Sequence, residues 1–217
     1  MSPAARSPVG VGNRRLYLCT PDRPDLLEFV SACIAGGVDV VQLREKSLDD
    51  RALLRRAETL GRLCRDHGVP FVLNDRPDLA LACGADGVHV GQDDCPPAVA
   101  RRILGPGALV GFSTHSPGEL DAATAEPVDY VSAGPVTPTP TKPGRPGTGL
   151  DYVTYAADRS PVPFFVTGGV SPETVPDMAA AGARRFVAVR WLTEAPNPED
   201  AARRLREAVD RLPLQTP

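Results

Sequence analysis

The segment Val41-Gln42-Leu43-Arg44-Glu45-Lys46 has the spacing of an anion clamp. In an extended chain alternate side chains share a face. Gln42, Arg44 and Lys46 therefore lie together, with Val41 and Leu43 opposite. Two cations on one face repel each other unless an anion joins them. A guanidinium fork beside an ammonium group suits pyrophosphate. The competing use of Arg44, pairing with a scaffold carboxylate, explains that residue but explains the triplet less well. A second signal is acidic. Asn74-Asp75 ends one apolar run, and Gly91-Gln92-Asp93-Asp94 follows the next. Neighbouring parallel strands lie ~4.8 Å apart, so Asp75 and one of Asp93 and Asp94 can converge. Paired carboxylates beside a pyrophosphate clamp suit Mg²⁺, which takes oxygen ligands and bridges protein to phosphate. The other aspartate suits a helix N-cap before Cys95-Pro96. Spacing does not assign the two.

Three further places could touch substrate. Ser113 closes the run Leu109–Ser113 and could donate to a phosphate. His115, just beyond it, reads equally well as a general acid/base and as a satisfied polar residue near a helix start. The sequence from Gly134 to Gly149 is long for a barrel loop and carries Thr137, Thr139, Thr141 and Lys142 among prolines and glycines. Its composition and position suit a lid. Thr167-Gly168-Gly169-Val170 lets backbone N–H groups approach an anion closely, and Val189-Arg190-Trp191 ends the last apolar run beside it. His89, between Val88 and Val90, reads as an interior hydrogen-bonded residue. His67 reads as a helix C-terminal residue.

Eight short apolar runs must position these residues: Leu16–Thr20, Val38–Arg44, Pro70–Asn74, Gly87–Val90, Leu109–Ser113, Tyr130–Gly134, Phe164–Gly168 and Phe186–Arg190. They read as buried parallel strands. Helical patterns alternate with them. Leu53, Leu54, Ala57, Leu60 and Cys64 form one 3.6-period stripe. Ser47 with Asp50, and Ser116 with Glu119, read as helix starts. Ser171-Pro172-Glu173 opens another helix, and a last one spans about Glu199 to Arg211. Eight strand–helix units predict a single (β/α)₈ TIM barrel over residues 14–213, with chemistry at the C-terminal strand ends. Residues 1–13 read as a disordered tail.

Composition narrows the class. The chain has 217 residues with a formal net charge of −3, which argues against nucleic acid or an anionic membrane as partner. No apolar run approaches the ~18–20 residues of a membrane span, and the first residues lack a secretory signal. The cysteines at 19, 33, 64, 83 and 95 form no CxxC pair and suit a reducing cytoplasm. Of 24 basic residues only Lys46 and Lys142 are lysines. Both fall at strand ends, positions where this arginine-rich chain does not use arginine.

The segments VQLREK, NDRPDLALACGADGVHVGQDD, GFSTHS, AGPVTPTPTK, TGGV and VAVR occur in this order. Together they resemble the thiamine phosphate synthase family. The resemblance implies a (β/α)₈ transferase that joins hydroxymethylpyrimidine pyrophosphate to thiazole phosphate and releases pyrophosphate. It implies that Gln42, Leu43, Arg44, Glu45, Lys46, Asn74, Ser113 and Lys142 bind the pyrimidine substrate. Arg44, Lys46, Ser113 and Lys142 then carry catalysis. It assigns Mg²⁺ to Asp75 and Asp94, and the thiazole phosphate to Thr139, Pro140, Thr141, Gly169, Val189 and Arg190. At position 190 some relatives carry serine, so only a main-chain contact transfers. Expected partners are these small molecules, and the oligomeric state stays open. The rivals are a thiazole tautomerase using His115 and a non-catalytic phosphate-sensing barrel.

Overall fold

β-branched and aromatic residues recur in short runs that can be buried on both faces, and each becomes a strand of one closed parallel sheet. The computed structural model describes residues 10–138 and 146–213. The strands are β1 (Leu16–Thr20), β2 (Val40–Leu43), β3 (Phe71–Asn74), β4 (Gly87–Val90), β5 (Leu109–Thr114), β6 (Tyr130–Ala133), β7 (Phe164–Val166) and β8 (Phe186–Ala188). They pair in sequence order, and β8 closes on β1 with Leu16 beside Phe186. This is the expected (β/α)₈ barrel: β1 and β4 keep the bounds of their apolar runs, β5 is one residue longer, and the other five strands are one to three residues shorter.

Strand alternation builds two apolar layers. Leu18, Val41, Leu43, Leu73, Val88, Val110, Val131 and Val166 point outward against the helices. Val11, Tyr17, Val40, Val72, Leu109, Tyr130 and Phe165 fill the interior. Val11 falls in the stretch expected to be a tail, yet it is buried in that interior layer. Residues 1–9 lie outside the described residues.

The helices are α1 (Leu26–Ala35), α2 (Asp50–Asp66), α3 (Pro77–Cys83), α4 (Pro97–Leu104), α5 (Pro117–Ala123), α6 (Gly149–Arg159), α7 (Val175–Ala180), α8 (Arg190–Thr193) and α9 (Pro198–Asp210). The α2 stripe is the one the periodicity predicts: Leu53, Ala57, Leu60 and Cys64 are buried. Its cap differs. Asp49 accepts from the Ala52 N–H at 2.8 Å, whereas the Ser47 hydroxyl donates to Glu45 at 2.6 Å. A carboxylate two residues upstream takes Ser47 out of the capping role. Ser116 caps α5 as expected, its Oγ accepting from the Glu119 N–H. The Glu119 carboxylate reaches back to the His115 N–H at 2.8 Å. The Ser171 segment forms a turn, and α7 begins only at Val175. His67 is the C-cap of α2. Among the described residues no helix is long and apolar enough to cross a membrane.

Candidate active site

A cavity of about 560 Å³ opens at the C-terminal ends of the strands. Gln42, Arg44 and Ser113 line one side of it, and Gly168, Gly169, Val189 and Arg190 line the other. The face assigned from alternation is therefore the inner one: Leu43 is fully buried in the outer layer and gives the cavity no side chain. Glu45 also turns elsewhere. Its carboxylate accepts from Ser47 and from the Asp22 N–H at 3.2 Å, tying the loop after β2 to the one after β1. Among the described residues no carboxylate pairs with Arg44, so the scaffold use of that guanidinium is not seen.

The acidic residues meet at the neighbouring rim. Register places Asn74 beside His89, and Asp75 follows with φ at 64°, a left-handed conformation. Its N–H donates to the His89 carbonyl at 2.8 Å. Lys46 Nζ stands 2.7 Å from Asp75 Oδ2. Asp94 Oδ2 accepts from the Gly91 N–H at 2.8 Å, closing a tight turn. The N-cap of α4 is Pro96, so neither Asp93 nor Asp94 serves as that cap. Of the two, Asp94 is the one that reaches Asp75, because the Gly91 turn brings its carboxyl back over the strand end.

The two carboxyls share a hydrogen bond. Burial, and then Asp94, push Asp75 above the ordinary carboxylate value. Burial also opposes charge on Asp94, but the bonds from Asp75 and Gly91 outweigh it and hold Asp94 below that value. Two hard oxygen donors thus meet at this rim. Among the described residues no group of three or more His, Cys, Asp or Glu could hold a metal. Two carboxylates completed by phosphate oxygens and water are nevertheless the usual setting of Mg²⁺, and this donor set fits it.

The opposite wall is built by close approach. Gly168 and Gly169 have φ of +94° and +77°. A Cβ at 168 would stand 2.6 Å from Val136 N, and one at 169 would stand 2.5 Å from Thr137 Oγ1. Only glycine lets the turn after β7 nest against the root of the long loop. Val189 and Arg190 begin α8 beside them. Thr139, Pro140, Thr141 and Lys142 lie outside the described residues.

Some groups have other duties. His115 Nδ1 hydrogen-bonds the Gly134 carbonyl and does not line the cavity, which favours its reading as a satisfied polar residue. Burial pushes the Cys33 and Cys64 thiols up to about 12, so neither is a nucleophile near neutral pH. The structure also adds residues the sequence reading did not single out. Tyr17, Cys19, Tyr130 and Ser132 line the cavity floor, and Trp191, Glu194 and Arg204 line an outer arm. The period-2 alternation of β1 and β6 carries the signal for the floor residues. The arm depends on how α8 and α9 fold over the barrel mouth, which no local pattern reveals.

The sequence profile described as thiamine monophosphate synthase matches residues 16–192, which include every strand and both rims of the cavity. The chain belongs to the thiamine monophosphate synthase family. It is 48% identical over 207 residues to a thiamine-phosphate synthase of Mycobacterium sp. (strain KMS), covering 89% of this chain and 92% of that one. It is 49% identical over 199 residues to one of Thermus thermophilus, covering 89% and 96%. A solved thiamine phosphate pyrophosphorylase from Pyrococcus furiosus superposes with a TM-score of 0.84 at 29% identity, covering 92% of this chain and 96% of that one. A 3-hexulose-6-phosphate synthase, with a TM-score of 0.68 at 21% identity, shares the barrel alone. Within a thiamine monophosphate synthase barrel the clamp, the aspartate pair and the glycine cup occupy one mouth, and neither rival reading gains support.

Proposed function

We propose that this chain makes thiamine phosphate by joining hydroxymethylpyrimidine pyrophosphate to thiazole phosphate, with release of pyrophosphate. The observation that supports the reading is a cavity lined by Gln42, Arg44, Ser113, Gly168 and Gly169, with Lys46 paired to Asp75 at a neighbouring strand end, in a chain of this family. Gln42 and Asn74 hold the pyrimidine. Arg44, Lys46, Ser113 and Lys142 bind its pyrophosphate. Asp75 and Asp94 hold Mg²⁺, which when bound offsets charge on the departing pyrophosphate oxygens. The C–O bond to pyrophosphate breaks with its electron pair leaving on oxygen. The thiazole nitrogen lone pair then captures the pyrimidine methylene cation.

Amides at Gly169, Val189 and Arg190, with Thr139, Pro140 and Thr141, hold the thiazole phosphate so that its nitrogen faces that carbon. The protein supplies charge and orientation, so the reaction needs no nucleophilic side chain. The lid keeps water from the cation. We place the enzyme in the cytoplasm, where its five thiols suit the redox poise. The test is product formation by the purified protein from both substrates, with and without Mg²⁺. Thiamine phosphate formed only with the metal supports the reading; no product with metal and both substrates overturns it.

A further inference from the structure

Where β4 meets β5 the sheet satisfies two demands at once. The ladder between them ends with Val90 beside Phe112, but β5 runs on to Thr114. β4 leaves the sheet at Gly91, whose N–H turns to Asp94 Oδ2 at 2.8 Å. A Cβ at 91 would crowd that oxygen at 2.9 Å. The turn delivers Asp94 to Asp75, and it also takes β4 away from the last residues of β5. Successive residues of a strand turn their backbone groups to opposite neighbours. The Thr114 carbonyl accepts from the Gly134 N–H on the β6 side at 3.2 Å, and the Leu109 N–H donates to Asp86 on the β4 side at 2.8 Å. Ser113 has the parity of Leu109, so its carbonyl faces the side that β4 has left.

Gln92 stands in for the departed strand. Its Nε2 donates to the Ser113 carbonyl at 2.7 Å. Had β4 continued in the same register, the backbone N–H of Gln92 would be the next donor to β5. The side-chain amide supplies a donor there while the backbone follows the turn. Gln92 also lies inside the turn that Asp94 closes, since the Asp94 N–H donates to the Gly91 carbonyl at 3.2 Å. One amide therefore ties the aspartate turn to the backbone from which Ser113 Oγ projects. Ser113 lines the cavity and Gln92 does not, so any effect of Gln92 on a ligand passes through its neighbours.

We infer that Gln92 is a positioning residue: it holds Ser113 in register with the aspartate turn, so that both reach one pyrophosphate. The inference rests on the synthase reading for what that rim binds. Gln92→Met keeps the length and removes the donor, and the position is exposed, so the fold should persist. In calorimetric titration with inorganic pyrophosphate and Mg²⁺, the variant should bind about tenfold more weakly than wild type, the scale of one lost hydrogen bond. In turnover, kcat/KM for the pyrimidine pyrophosphate should fall by a similar factor, with the KM for thiazole phosphate unchanged. Gln92→Glu has the same shape without the N–H and should lose at least as much. In Ser113→Ala the Gln92→Met change should cost nothing further, because the two act through one side chain. Pyrophosphate affinity equal to wild type, an equal rise in the KM for thiazole phosphate, or losses that add to those of Ser113→Ala overturn the assignment. If Gln92→Met fails to fold, Gln92→Glu decides it. Pyrophosphate binding that depends on Gln92 in a protein without turnover removes the synthase reading alone. A wild-type protein that does not bind pyrophosphate overturns both.

Discussion

Asp75→Asn exchanges one carboxylate oxygen for an amide nitrogen where Lys46 and Asp94 both meet it. Fold and function should respond with opposite signs. What is lost is the contact with Lys46 at 2.7 Å; that lysine is 55% exposed, so the pair is worth at most about 1 kcal/mol. What is relieved is larger. Two carboxylates ~4 Å apart repel by about 4 kcal/mol at an effective dielectric of 20. Burial and the neighbouring Asp94 raise Asp75 above its ordinary value, so its charged form is the disfavoured one. Asparagine carries no charge, can donate a hydrogen bond to Asp94, and tolerates the left-handed φ of 64°. The net gain should be about 1 kcal/mol, or about 2–4 °C in Tm for a chain of this size. The sign with pH is fixed by Asp75, whose folded value lies above the ordinary 3.8. Its protonated form therefore stabilises the fold below 3.8, and that contribution is lost as pH rises through the raised value. The variant's advantage should be smallest below 3.8 and increase as pH rises through the raised Asp75 value. Thermal unfolding in EDTA across a pH series measures it. Turnover with Mg²⁺ should fall about 10²–10³-fold. A variant less stable than wild type at pH 8, an advantage independent of pH, or near-normal turnover would refute the reasoning.

Three further outcomes follow from the same geometry. Lys46→Arg keeps the charge but replaces a compact ammonium with a planar fork; turnover should drop at least about tenfold, with unfolding free energy within about 0.5 kcal/mol of wild type in denaturant titration. Gly168→Ala should cost about 2–4 kcal/mol, from the left-handed backbone plus overlap with Pro135 and Val136, and should raise the KM for thiazole phosphate. Asp39→Ala removes the acceptor of the Arg15 and Leu16 N–H groups and of Arg206 at the far end of the barrel. It should cost about 2–3 kcal/mol while leaving the kcat of the folded fraction unchanged, separating scaffold from site.

The strands were legible because buried parallel strands need dense β-branched and aromatic runs, and Leu16–Thr20 and Gly87–Val90 appear in the structure with the bounds their runs have. The clamp was legible for the same reason: alternation along β2 decides the inward face, and Gln42 and Arg44 obey it. Capping was less so. Asp49 rather than Ser47 caps α2 because Glu45 captures Ser47, a choice between local hydrogen bonds that the spacing S-x-x-D cannot express. The partner of Asp75 was left open by spacing alone because Asp93 and Asp94 are adjacent. Only the turn that returns the Asp94 carboxyl to the Gly91 N–H separates them.

The hydrogen bonds inside the barrel were the least legible, and the reason is topological. Tyr17 on β1 and Tyr130 on β6 pair with neither each other's strand nor a shared neighbour, since β1 bonds β2 and β8 while β6 bonds β5 and β7. Their hydroxyls meet 2.9 Å apart only because the sheet closes and both side chains cross its interior. Sequence alternation can send each tyrosine inward. It cannot say which two inward groups share a layer, because that depends on the stagger of the closed sheet. Closure also makes the meeting obligatory. A buried hydroxyl or imidazole must find a partner or carry a desolvation penalty, and Tyr17, Tyr130 and His89 meet one another, Gln42 and Ser113. The same closure that gathers Arg44, the aspartates and the glycine turn at the C-terminal strand ends therefore links the Gln42 amide to Ser113 through Tyr17, Tyr130 and His89.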